Sequence, residues 1–366
     1  MNTLLVTTEF PPFKGGIANY YGGLANSWPS GETLSVMSNN NGELIAPGRF
    51  WPWRRAFKAI KERIKKDKIK YILVGQVLPL GTVVRVLSLF QSFKYAVFFH
   101  GMDLSYSRRR RHKKILTSLI IRRADKIICA NNYVKAQLDK YYPGAGAKAA
   151  VVNPGISPEI LKVEEETLTR LKTKYILKPV GGLILFTLGR LVKRKGVDKV
   201  IAALRDLPPE LLDGLRYFVA GAGPDEEYLK ALIPAELKDK IIFLGELTEE
   251  EKWAWLNLGD IFIMPARDID GDYEGFGIVY LEANLGGKPV IAGRAGGTED
   301  AVIDNYNGLI VDPEDENSIG NAIIRLAADK KLRDQLGQQG RARALDKFNW
   351  PVLAAGLSRQ IQGILK

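Results

Sequence analysis

The chain has little sulfur, few histidines and no long apolar run. Its single cysteine, Cys129, excludes an intramolecular disulfide and a cysteine-rich metal cluster. That cysteine lies in the apolar run KIICA, which predicts a buried position. The two histidines, His100 and His112, are too few for a histidine-rich metal site. No apolar run reaches the length of a membrane span, and the N-terminus lacks the basic-then-apolar pattern of a secretion signal, so we expect a cytoplasmic protein.

Negative charge is scarce in the first part of the chain. Residues 1–157 carry 25 Lys and Arg but 8 Asp and Glu, a net charge of +17. Residues 158–366 carry 28 and 33, a net charge of −5, and the whole chain has a formal charge of +12. This asymmetry indicates that the first part of the chain meets an anionic partner or surface.

Short apolar runs alternate with segments of helical spacing along all 366 residues, a length sufficient for two domains. The face formed by Ala56, Phe57, Ile60 and Ile64 predicts a helix over 54–69. Further helices are predicted at 316–328, about 330–347 and 352–366. Buried strands are predicted at 4–7, 34–37, 71–75, 95–100, 126–130, 149–153, 183–189, 216–221, 240–245, 261–265, 289–293 and 308–312.

Strands that alternate with helices predict a parallel, doubly wound sheet, and here the pattern runs twice. We therefore predict an α/β fold of two Rossmann-like domains, residues 1–157 and 158–351, that face a deep interdomain cleft. An acidic run followed by Pro179, Gly181 and Gly182 makes residues 158–182 the predicted connection. The cleft between two such domains is the usual place for a ligand.

The stretch IFIMPARDIDGDYEGFGIVYLEA (261–283) combines a buried strand, an acidic loop, a glycine-bracketed turn and a helix. Its glycines place Glu274 in the loop and Glu282 in the first turns of the helix. Free backbone N–H groups near Gly277, Ile278 and Val279 would form an anion site between the two carboxylates. This layout suits a nucleotide sugar. The alternative is an ordinary strand–loop–helix unit with a solvated glutamate.

Two further candidates stand at strand ends in the first half. Gly15 and Gly16 follow the first strand and would let backbone approach a phosphate or a sugar, although a simple tight turn explains them equally well. His100 ends the apolar strand YAVFFH and precedes Gly101 and Asp103. A polar residue at the carboxyl end of a buried parallel strand opens into the ligand crevice of such folds, so we favour a functional over a structural role.

In the second half, Arg190 directly follows a buried strand, and Lys195 stands just before a glycine and a helix. Two cations at such a junction could hold a diphosphate, because arginine offers a fork of donors to its oxygens. The alternative is a solvated basic loop, which is the role we predict for Lys193 and Arg194.

Two segments resemble known binding motifs but lack residues that those motifs require. VAGAGPDEEYL (219–229) lacks the third glycine of a dinucleotide fingerprint, which disfavours hydride transfer. The loop DIDGD has Tyr273 and Val279 where a calcium loop needs glycine and an acid. A metal held by the alternate aspartates of this loop stays open as an alternative, but a polar loop beside the ligand is favoured, and no metal site is predicted.

The run RRRRHKK forms a basic segment, and WPWRR (51–55) precedes another basic helix. Basic helices flanked by aromatic residues bind anionic lipid, bind nucleic acid or keep a protein soluble; we favour a membrane surface. The basic segment comprises Arg108, Arg109, Arg110, Arg111, Lys113 and Lys114.

Together these motifs resemble family 4 of the retaining glycosyltransferases, which have the GT-B fold. The most specific part is EGFGIVYLEA, followed by GKPVIAGRAGGTEDAV and NGLIVDP. FPPFKGGIANY, HGMDL, NPGI, LGRLVKRKGVDKVIAAL and GAGP support it, so that the resemblance runs along nearly the whole chain. FPPFKGGIANY and the loop before EGFGIVYLEA look most similar to bacterial phosphatidylinositol mannosyltransferases and related α-mannosyltransferases. One departure is Ser157, which follows NPGI where many members have aspartate.

The resemblance implies a role for each candidate. Arg190 and Lys195 would bind the donor diphosphate, Glu282 the ribose and Glu274 the transferred sugar, with His100 at the reacting face. Except for Glu282, these are the predicted catalytic residues. The helix 352–366 would return onto the first domain, and the base would pack near 245–247. The remaining donor-binding residues by this resemblance are Gly15, Gly16, Leu247, Gly275, Phe276, Gly277, Ile278 and Val279.

We therefore expect a retaining glycosyltransferase that needs no cofactor and no obligatory metal. It would move a hexose, with mannose favoured, from a nucleoside-diphosphate sugar to a lipid-linked or cell-envelope glycan. It would work at the inner face of the plasma membrane without binding nucleic acid. The alternatives are another GT-B enzyme such as a nucleotide-sugar epimerase, or a non-catalytic binding protein.

Overall fold

The computed structural model describes residues 2–13, 15–40, 42–45, 53–157, 163–175 and 182–365. The chain divides into two compact units, which we call unit 1 (Met1–Gly155 and Asn349–Lys366) and unit 2 (Ile156–Phe348). The predicted boundaries lay after residues 157 and 351, so the structure divides the chain two to three residues earlier at each place.

Unit 1 is built from six strands and seven α-helices in its described part. Its strands are β1 (Asn2–Thr7), β2 (Thr33–Ser38), β3 (Tyr71–Val74), β4 (Lys94–Phe99), β5 (Lys126–Cys129) and β6 (Ala149–Val151). Its helices are α1 (Gly16–Asn26), α2 (Arg54–Lys66), α3 (Leu80–Leu87), α4 (Met102–Arg108), α5 (Arg111–Arg123), α6 (Asn132–Tyr141) and, from the end of the chain, α16 (Trp350–Leu365).

Unit 2 repeats the arrangement with six strands and nine α-helices in its described part. Its strands are β7 (Leu183–Leu188), β8 (Leu215–Ala220), β9 (Ile241–Gly245), β10 (Ile261–Met264), β11 (Val290–Gly293) and β12 (Gly308–Val311). Its helices are α7 (Glu165–Lys174), α8 (Val197–Arg205), α9 (Pro209–Gly214), α10 (Glu226–Ala231), α11 (Glu249–Leu258), α12 (Ile278–Leu285), α13 (Thr298–Ala301), α14 (Glu316–Ala328) and α15 (Lys330–Lys347).

Both sheets are parallel throughout and doubly wound. The strand order is β2-β1-β3-β4-β5-β6 in unit 1 and β12-β11-β10-β7-β8-β9 in unit 2. In each sheet the order reverses beside the first strand, between β1 and β3 in unit 1 and between β7 and β10 in unit 2. Loops that leave the carboxyl ends of strands on either side of such a reversal diverge and open a crevice, where open α/β sheets bind their ligands. The prediction of two doubly wound α/β domains is confirmed.

Each sheet buries both faces, as parallel sheets do. In β3, Ile72 and Val74 pack into one core of unit 1 while Tyr71 and Leu73 pack into the other. The same alternation in the second sheet separates two cores, and the predicted buried Cys129 lies in the first core of unit 1. Continuous apolar runs therefore have a direct physical cause, because every side chain of a central strand meets a layer of helices.

The edges of the units depart from the predictions. The strand predicted at 34–37 as buried is the half-exposed edge strand β2. The helix predicted over 54–69 is α2, which ends at Lys66. The acidic part of the predicted connection forms α7, which packs on α11 through the hydroxyl of Thr167 and the carboxylate of Glu250. The predicted connection residues Pro179 and Gly181 lie outside the described residues.

The helix α16 begins at Trp350 rather than at 352 and packs in unit 1. Its buried side chains join the core that contains Leu5, Tyr20 and Phe98. Gly23 on α1 faces the indole so closely that an added Cβ would lie 2.2 Å from Nε1 of Trp350. The hydroxyl of Ser358 donates to the carboxylate of Glu32 at 2.7 Å and so ties the helix to the start of β2.

Candidate active site

The candidate site of unit 2 lies where its strand order reverses. β7 and β10 are hydrogen-bonded neighbours, with Ile261 opposite Leu185, although about 80 residues separate them along the chain. Loop 189–196, which we call the cation loop, leaves β7 and enters α8. Loop 265–277, which we call the acidic loop, leaves β10 and enters α12. The two loops therefore begin side by side.

Backbone contacts hold the cation loop against the acidic loop. Gly196 has a left-handed conformation, φ 77°, and an added Cβ would lie 2.2 Å from the carbonyl oxygen of Pro265. The N–H of Arg267 donates to the carbonyl of Arg194 at 2.8 Å. In addition, the guanidinium of Arg267 forms a two-pronged ion pair with Asp198 on α8, at 3.0 and 2.7 Å. These contacts fix the relative position of the two loops.

The side chains that meet between these loops are Lys195 and Glu274. Lys195 Nζ lies 2.5 Å from Oε2 of Glu274, and both side chains are 11% exposed. Arg194 Nη1 reaches the same oxygen at 2.9 Å. Burial alone would raise the pKa of the Glu274 carboxyl, but the charges and hydrogen bonds of Lys195 and Arg194 outweigh burial and lower that pKa. Glu274 is therefore an ionised carboxylate at neutral pH.

Arg194 was predicted to be solvated, and that prediction is wrong. Its side chain is 22% exposed, and besides Glu274 it pairs with Asp272 at 3.1 Å. Asp272 thus neutralises an arginine in this structure, and Asp268 caps the turn by accepting the N–H of Gly271 at 2.7 Å. The sequence did contain a signal, since a basic loop and an acidic loop follow two strands, but only the β7–β10 pairing joins them. Lys193 is exposed, as predicted.

Gly277 sets the direction in which α12 begins. It has φ 76° and ψ 62°, a left-handed conformation that favours glycine, and an added Cβ would lie 2.3 Å from the ring of Tyr280. The first N–H groups of α12, those of Ile278 and Val279, have no intrahelical acceptor because they open the helix. The carbonyl of Glu274 accepts a hydrogen bond from the N–H of Gly297 at 3.0 Å, and this bond holds the turn that leads into α12.

Glu282 lies in the second turn of α12, close to its predicted place, and is paired. Lys252 on α11 reaches Oε1 of Glu282 at 3.0 Å, and Glu249 at 2.5 Å. Burial tends to lower the pKa of Lys252, but Glu282 and Glu249 raise it overall. Lys252 was not predicted to take part in the site, because nothing in EEEKWAW (249–255) distinguishes it from a surface lysine.

The other residues of unit 2 that were predicted to bind the sugar donor differ in exposure. Arg190 is exposed, and its side chain forms no hydrogen bond or ion pair with any residue in the described ranges. Leu247 packs at the border of a core, Gly275 is half-buried, and Phe276 is buried with its ring 5.7 Å from that of Phe348. The structure thus brings Lys195 and Glu274 into contact and leaves Arg190 available at the end of β7. The roles of these residues stay predictions.

In unit 1, His100 stands at the carboxyl end of β4, as predicted. Its Nε2 lies 2.7 Å from the hydroxyl of Tyr21, and that hydroxyl also donates to the carbonyl of Gly75 at 2.6 Å. The backbone N–H of His100 donates to Asp103 at 2.9 Å. Burial lowers the pKa of His100 to about 4 and raises the pKa of Asp103 to about 6. The imidazole is therefore neutral at pH 7.

Gly15 and Gly16 stand at the start of α1. Gly15 is extended with φ 162°, and its added Cβ would meet the Phe13 ring at 3.7 Å and the Glu9 carboxylate at 3.8 Å. An added Cβ on Gly16 would meet no described atom within 4 Å, so this first helical residue borders open space. The pair therefore leaves room beside the N-terminus of α1, as a close ligand approach requires.

The basic segment covers the end of α4 and the start of α5. Tyr106 receives the Lys113 ammonium 3.3 Å above its ring, and Arg108 lies 3.4 Å above Tyr141. Two apolar side chains beside them are exposed, Met102 by 83% and Ile115 by 60%. Across the described ranges, we find no helix with the length and apolar character that a membrane crossing requires.

A separate cavity of about 380 Å³ lies in unit 1, near the ends of its strands that are remote from His100. Two of its cations already hold parts of the fold together. Lys94 donates to the carbonyl of Ile364 in the last turn of α16, and Arg123 donates to the backbone oxygen of Ser88 at 3.1 Å. We therefore assign this cavity to the packing of α16 and not to the candidate site.

Comparison with known proteins gives a consistent result. The family model for glycosyl transferases group 1 matches residues 171–343, and that for Glycosyltransferase Family 4 matches residues 38–160. The chain is 28% identical to a GDP-mannose-dependent alpha-(1-6)-phosphatidylinositol monomannoside mannosyltransferase of Mycolicibacterium smegmatis, over 98% of both chains.

Solved structures share the architecture. Sucrose-phosphate synthase from Thermosynechococcus elongatus superposes with a TM-score of 0.78 at 22% identity, covering 100% of this chain and 99% of that one. Anabaena Alr3699/HepE in complex with UDP superposes with a TM-score of 0.79 at 17% identity, covering 99% and 100%. These likenesses show the fold. Because the two family models together account for most of the residues, the chain belongs to the family 4 glycosyltransferases with the GT-B fold.

Proposed function

We propose that this glycosyltransferase transfers mannose from GDP-mannose to a lipid-linked glycan of the phosphatidylinositol mannoside class, with retention of anomeric configuration. The observation that carries the proposal is the contact between Lys195, Arg194 and Glu274 beside the start of α12. The full-length similarity to a GDP-mannose-dependent mannosyltransferase supports the choice of donor and acceptor.

The chemistry follows from where charge develops. When the bond between mannose and the diphosphate breaks, negative charge accumulates on the leaving phosphate. Lys195, the exposed Arg190 and the free N–H groups at the start of α12 are donors suited to stabilise that charge. Because side chains and backbone supply this stabilisation, we propose that the reaction needs no obligatory metal.

Glu274 is suited to orient the transferred sugar. Its Oε2 is engaged by Lys195 and Arg194, whereas Oε1 has no hydrogen-bond partner within the described ranges. An ionised carboxylate oxygen held in this way accepts hydrogen bonds from sugar hydroxyls. Its pKa is lowered, so it is a poor proton donor. We propose that the departing phosphate takes the acceptor's proton on the same face, which retains the configuration.

A transfer assay tests this function directly. The protein is incubated with radiolabelled GDP-mannose and phosphatidylinositol mannoside in detergent, with and without EDTA, and the linkage of the product is read by NMR. We expect an α-linked mannolipid whose yield EDTA does not change. UDP-glucose and GDP-glucose serve as donor controls. Hydrolysis alone, or no transfer from GDP-mannose, would contradict the proposal; transfer from a control donor instead would show that the donor is another nucleotide sugar.

We further propose that the basic segment docks on anionic lipid. Met102, Tyr106 and Ile115 are exposed within or directly beside this segment along the chain, and this combination of cations with apolar and aromatic side chains suits a membrane interface. Peripheral binding at the inner face of a membrane would bring the enzyme to a lipid-linked acceptor.

Sedimentation with vesicles tests the docking. We expect binding to phosphatidylglycerol vesicles at low salt, weaker binding at high salt and none to phosphatidylcholine. Replacing the four arginines of the basic segment with glutamine should abolish it. The matched control removes four exposed charges on α15 of unit 2, those of Lys330, Lys331, Arg341 and Lys347. Equal loss in both variants would show that net charge alone, and not this segment, governs binding.

A further inference from the structure

Tyr21 connects His100 to the backbone at the carboxyl end of β3. It is fully buried on α1, and its hydroxyl lies 2.6 Å from the carbonyl oxygen of Gly75 and 2.7 Å from Nε2 of His100. Both distances are within hydrogen-bond range. Burial, followed by the charge of Asp103, raises the pKa of the Tyr21 hydroxyl, so it keeps its proton.

The proton count of this chain of groups permits one arrangement. A phenol has a single proton to donate, and a carbonyl oxygen can only accept. If Tyr21 donated to His100, its oxygen and that of Gly75 would face each other at 2.6 Å with no proton between them. Tyr21 therefore donates to Gly75, and His100 must donate its Nε2–H to the hydroxyl oxygen of Tyr21.

We propose that Tyr21 is a positioning residue that fixes the neutral Nε2–H tautomer of His100, so that Nδ1 presents a lone pair to a substrate hydroxyl. Nδ1 of His100 has no hydrogen-bond partner within the described ranges, and the residue as a whole keeps some solvent-exposed surface. Which ring nitrogen carries the proton is set by the bond that the other atom makes.

The consequence for substrate choice rests on the proposed sugar transfer. A lone pair at Nδ1 accepts a hydrogen bond from a hydroxyl of the sugar or of the acceptor, and it repels an oxygen that has no proton. A histidine with the opposite tautomer would donate at the same point and would favour an ether or a carbonyl oxygen. The network therefore selects a ligand with a free hydroxyl at this position.

The rings around His100 support this orientation. Tyr20 and Tyr21 meet it edge to face with centroids 5.1 and 5.4 Å away, and Phe98 stacks on it at 6.0 Å. Since three rings limit rotation of the imidazole, a ring flip that exchanged the two nitrogens would require the surroundings to move. Tyr20 supplies a matched control, because its own hydroxyl donates to the carbonyl of Val152 at 2.9 Å and, within the described ranges, forms no hydrogen bond with His100.

The tautomer can be read in the ligand-free protein by NMR. The chain contains two histidines, so ¹⁵N-histidine labelling gives two imidazole patterns, and His112→Gln assigns them. We expect His100 to show a pyrrole-type nitrogen coupled to both ring protons, which identifies Nε2–H, and a pyridine-type Nδ1. Tyr21→Phe should mix the two tautomers, whereas Tyr20→Phe should leave the pattern unchanged. Thermal unfolding of each variant verifies the fold.

Kinetics then separate a positioning role from a structural one. Tyr21→Phe should reduce kcat/KM by about tenfold, the lower end of the effect seen when a hydrogen-bond partner that orients a metal-bound histidine is removed. Binding of GDP alone, which needs no contact with His100, should not change. An Nδ1–H or charged imidazole in the wild type, or an unchanged tautomer in Tyr21→Phe, would overturn the proposal even if mannose transfer is observed. Conversely, the NMR result stands if the donor proves to be another sugar.

Discussion

Replacing Glu274 with glutamine should tighten the binding of a nucleoside diphosphate while it slows sugar transfer. In the structure the carboxylate neutralises Lys195 at 2.5 Å and Arg194 at 2.9 Å. The carboxylate therefore already compensates part of the positive charge that these cations would offer to an anionic ligand. Glutamine keeps an oxygen for one hydrogen bond but removes the negative charge, so the field felt by a diphosphate becomes more positive.

The size of the effect follows from Coulomb's law. A phosphate that contacts Lys195 from its other side would lie about 6 Å from the carboxylate, two contacts of roughly 3 Å each. A unit charge at that distance contributes about 3 kcal/mol at an effective dielectric constant of about 20. Because solvent reaches an open site, screening reduces this value, and we expect GDP to bind about 10 to 100 times more tightly to the variant.

Calorimetric titration measures this change. GDP and GDP-mannose are titrated into the wild type, into Glu274→Gln and into Glu316→Gln, which removes an exposed carboxylate of the same unit and so controls for net charge. GDP-mannose should gain less than GDP, because the variant also loses a contact to sugar hydroxyls. The rate of mannose transfer should fall by at least the factor by which the loss of the sugar contact weakens binding of GDP-mannose relative to GDP.

Two results would refute this reasoning. If GDP binds Glu274→Gln no better than the wild type, the carboxylate does not oppose the diphosphate. If Glu316→Gln tightens GDP binding equally, the effect comes from the overall field of the unit. A loss of fold is checked by thermal unfolding, and added GDP should raise the melting temperature of the variant through its preference for the folded state.

Three further predictions concern stability and pH. Asp198→Asn should cost unit 2 about 3 kcal/mol in free energy of unfolding, because it leaves the guanidinium of Arg267, 8% exposed, without its main partner; denaturant titration showing under about 1 kcal/mol would contradict this. The neutral His100 (pKa about 4) stabilises unit 1 above pH 6.5, and this stabilisation is lost as the pH falls through 4. The protonated Asp103 (pKa about 6) has the opposite dependence, because its stabilisation is lost as the pH rises through 6. Asp103→Asn removes that compensation and should steepen the loss of stability between pH 6.5 and 4, measured by urea titrations. Gly277→Ala should destabilise unit 2 by about 1–3 kcal/mol and weaken GDP binding, since φ 76° strains alanine; unchanged affinity with unchanged melting would count against an anion site at the start of α12.

Most of the candidate site that the sequence could predict lies at the carboxyl ends of strands. Runs such as YAVFF and IFIM are apolar because both faces of a parallel strand are buried, so the first polar residue after each run marks the rim of the sheet. This reasoning located His100 and the loops that contain Lys195 and Glu274. It could not pair those loops, because sequence order does not say whether β9 or β10 lies beside β7.

The missed residues share a physical cause. Arg194 and Lys252 owe their roles to a carboxylate about 80 and 30 residues away, and no local pattern distinguishes such a cation from a solvated one. The half exposure of β2 was missed because its place at the edge of the sheet depends on strand pairing. The helix α7 was missed because its acidic start was interpreted as a connection between the domains.

The position of α16 has a consequence for synthesis on the ribosome. Trp350 and the apolar face of this helix complete a core whose other side chains come from the first part of the chain, such as Leu5 and Phe98. Between the two, the ribosome must add all of unit 2, which takes roughly 10–40 s at 5–20 residues per second. During that interval α1 is in place but the part of this core that α16 covers stays exposed, so unit 1 cannot complete its packing until unit 2 has been synthesised.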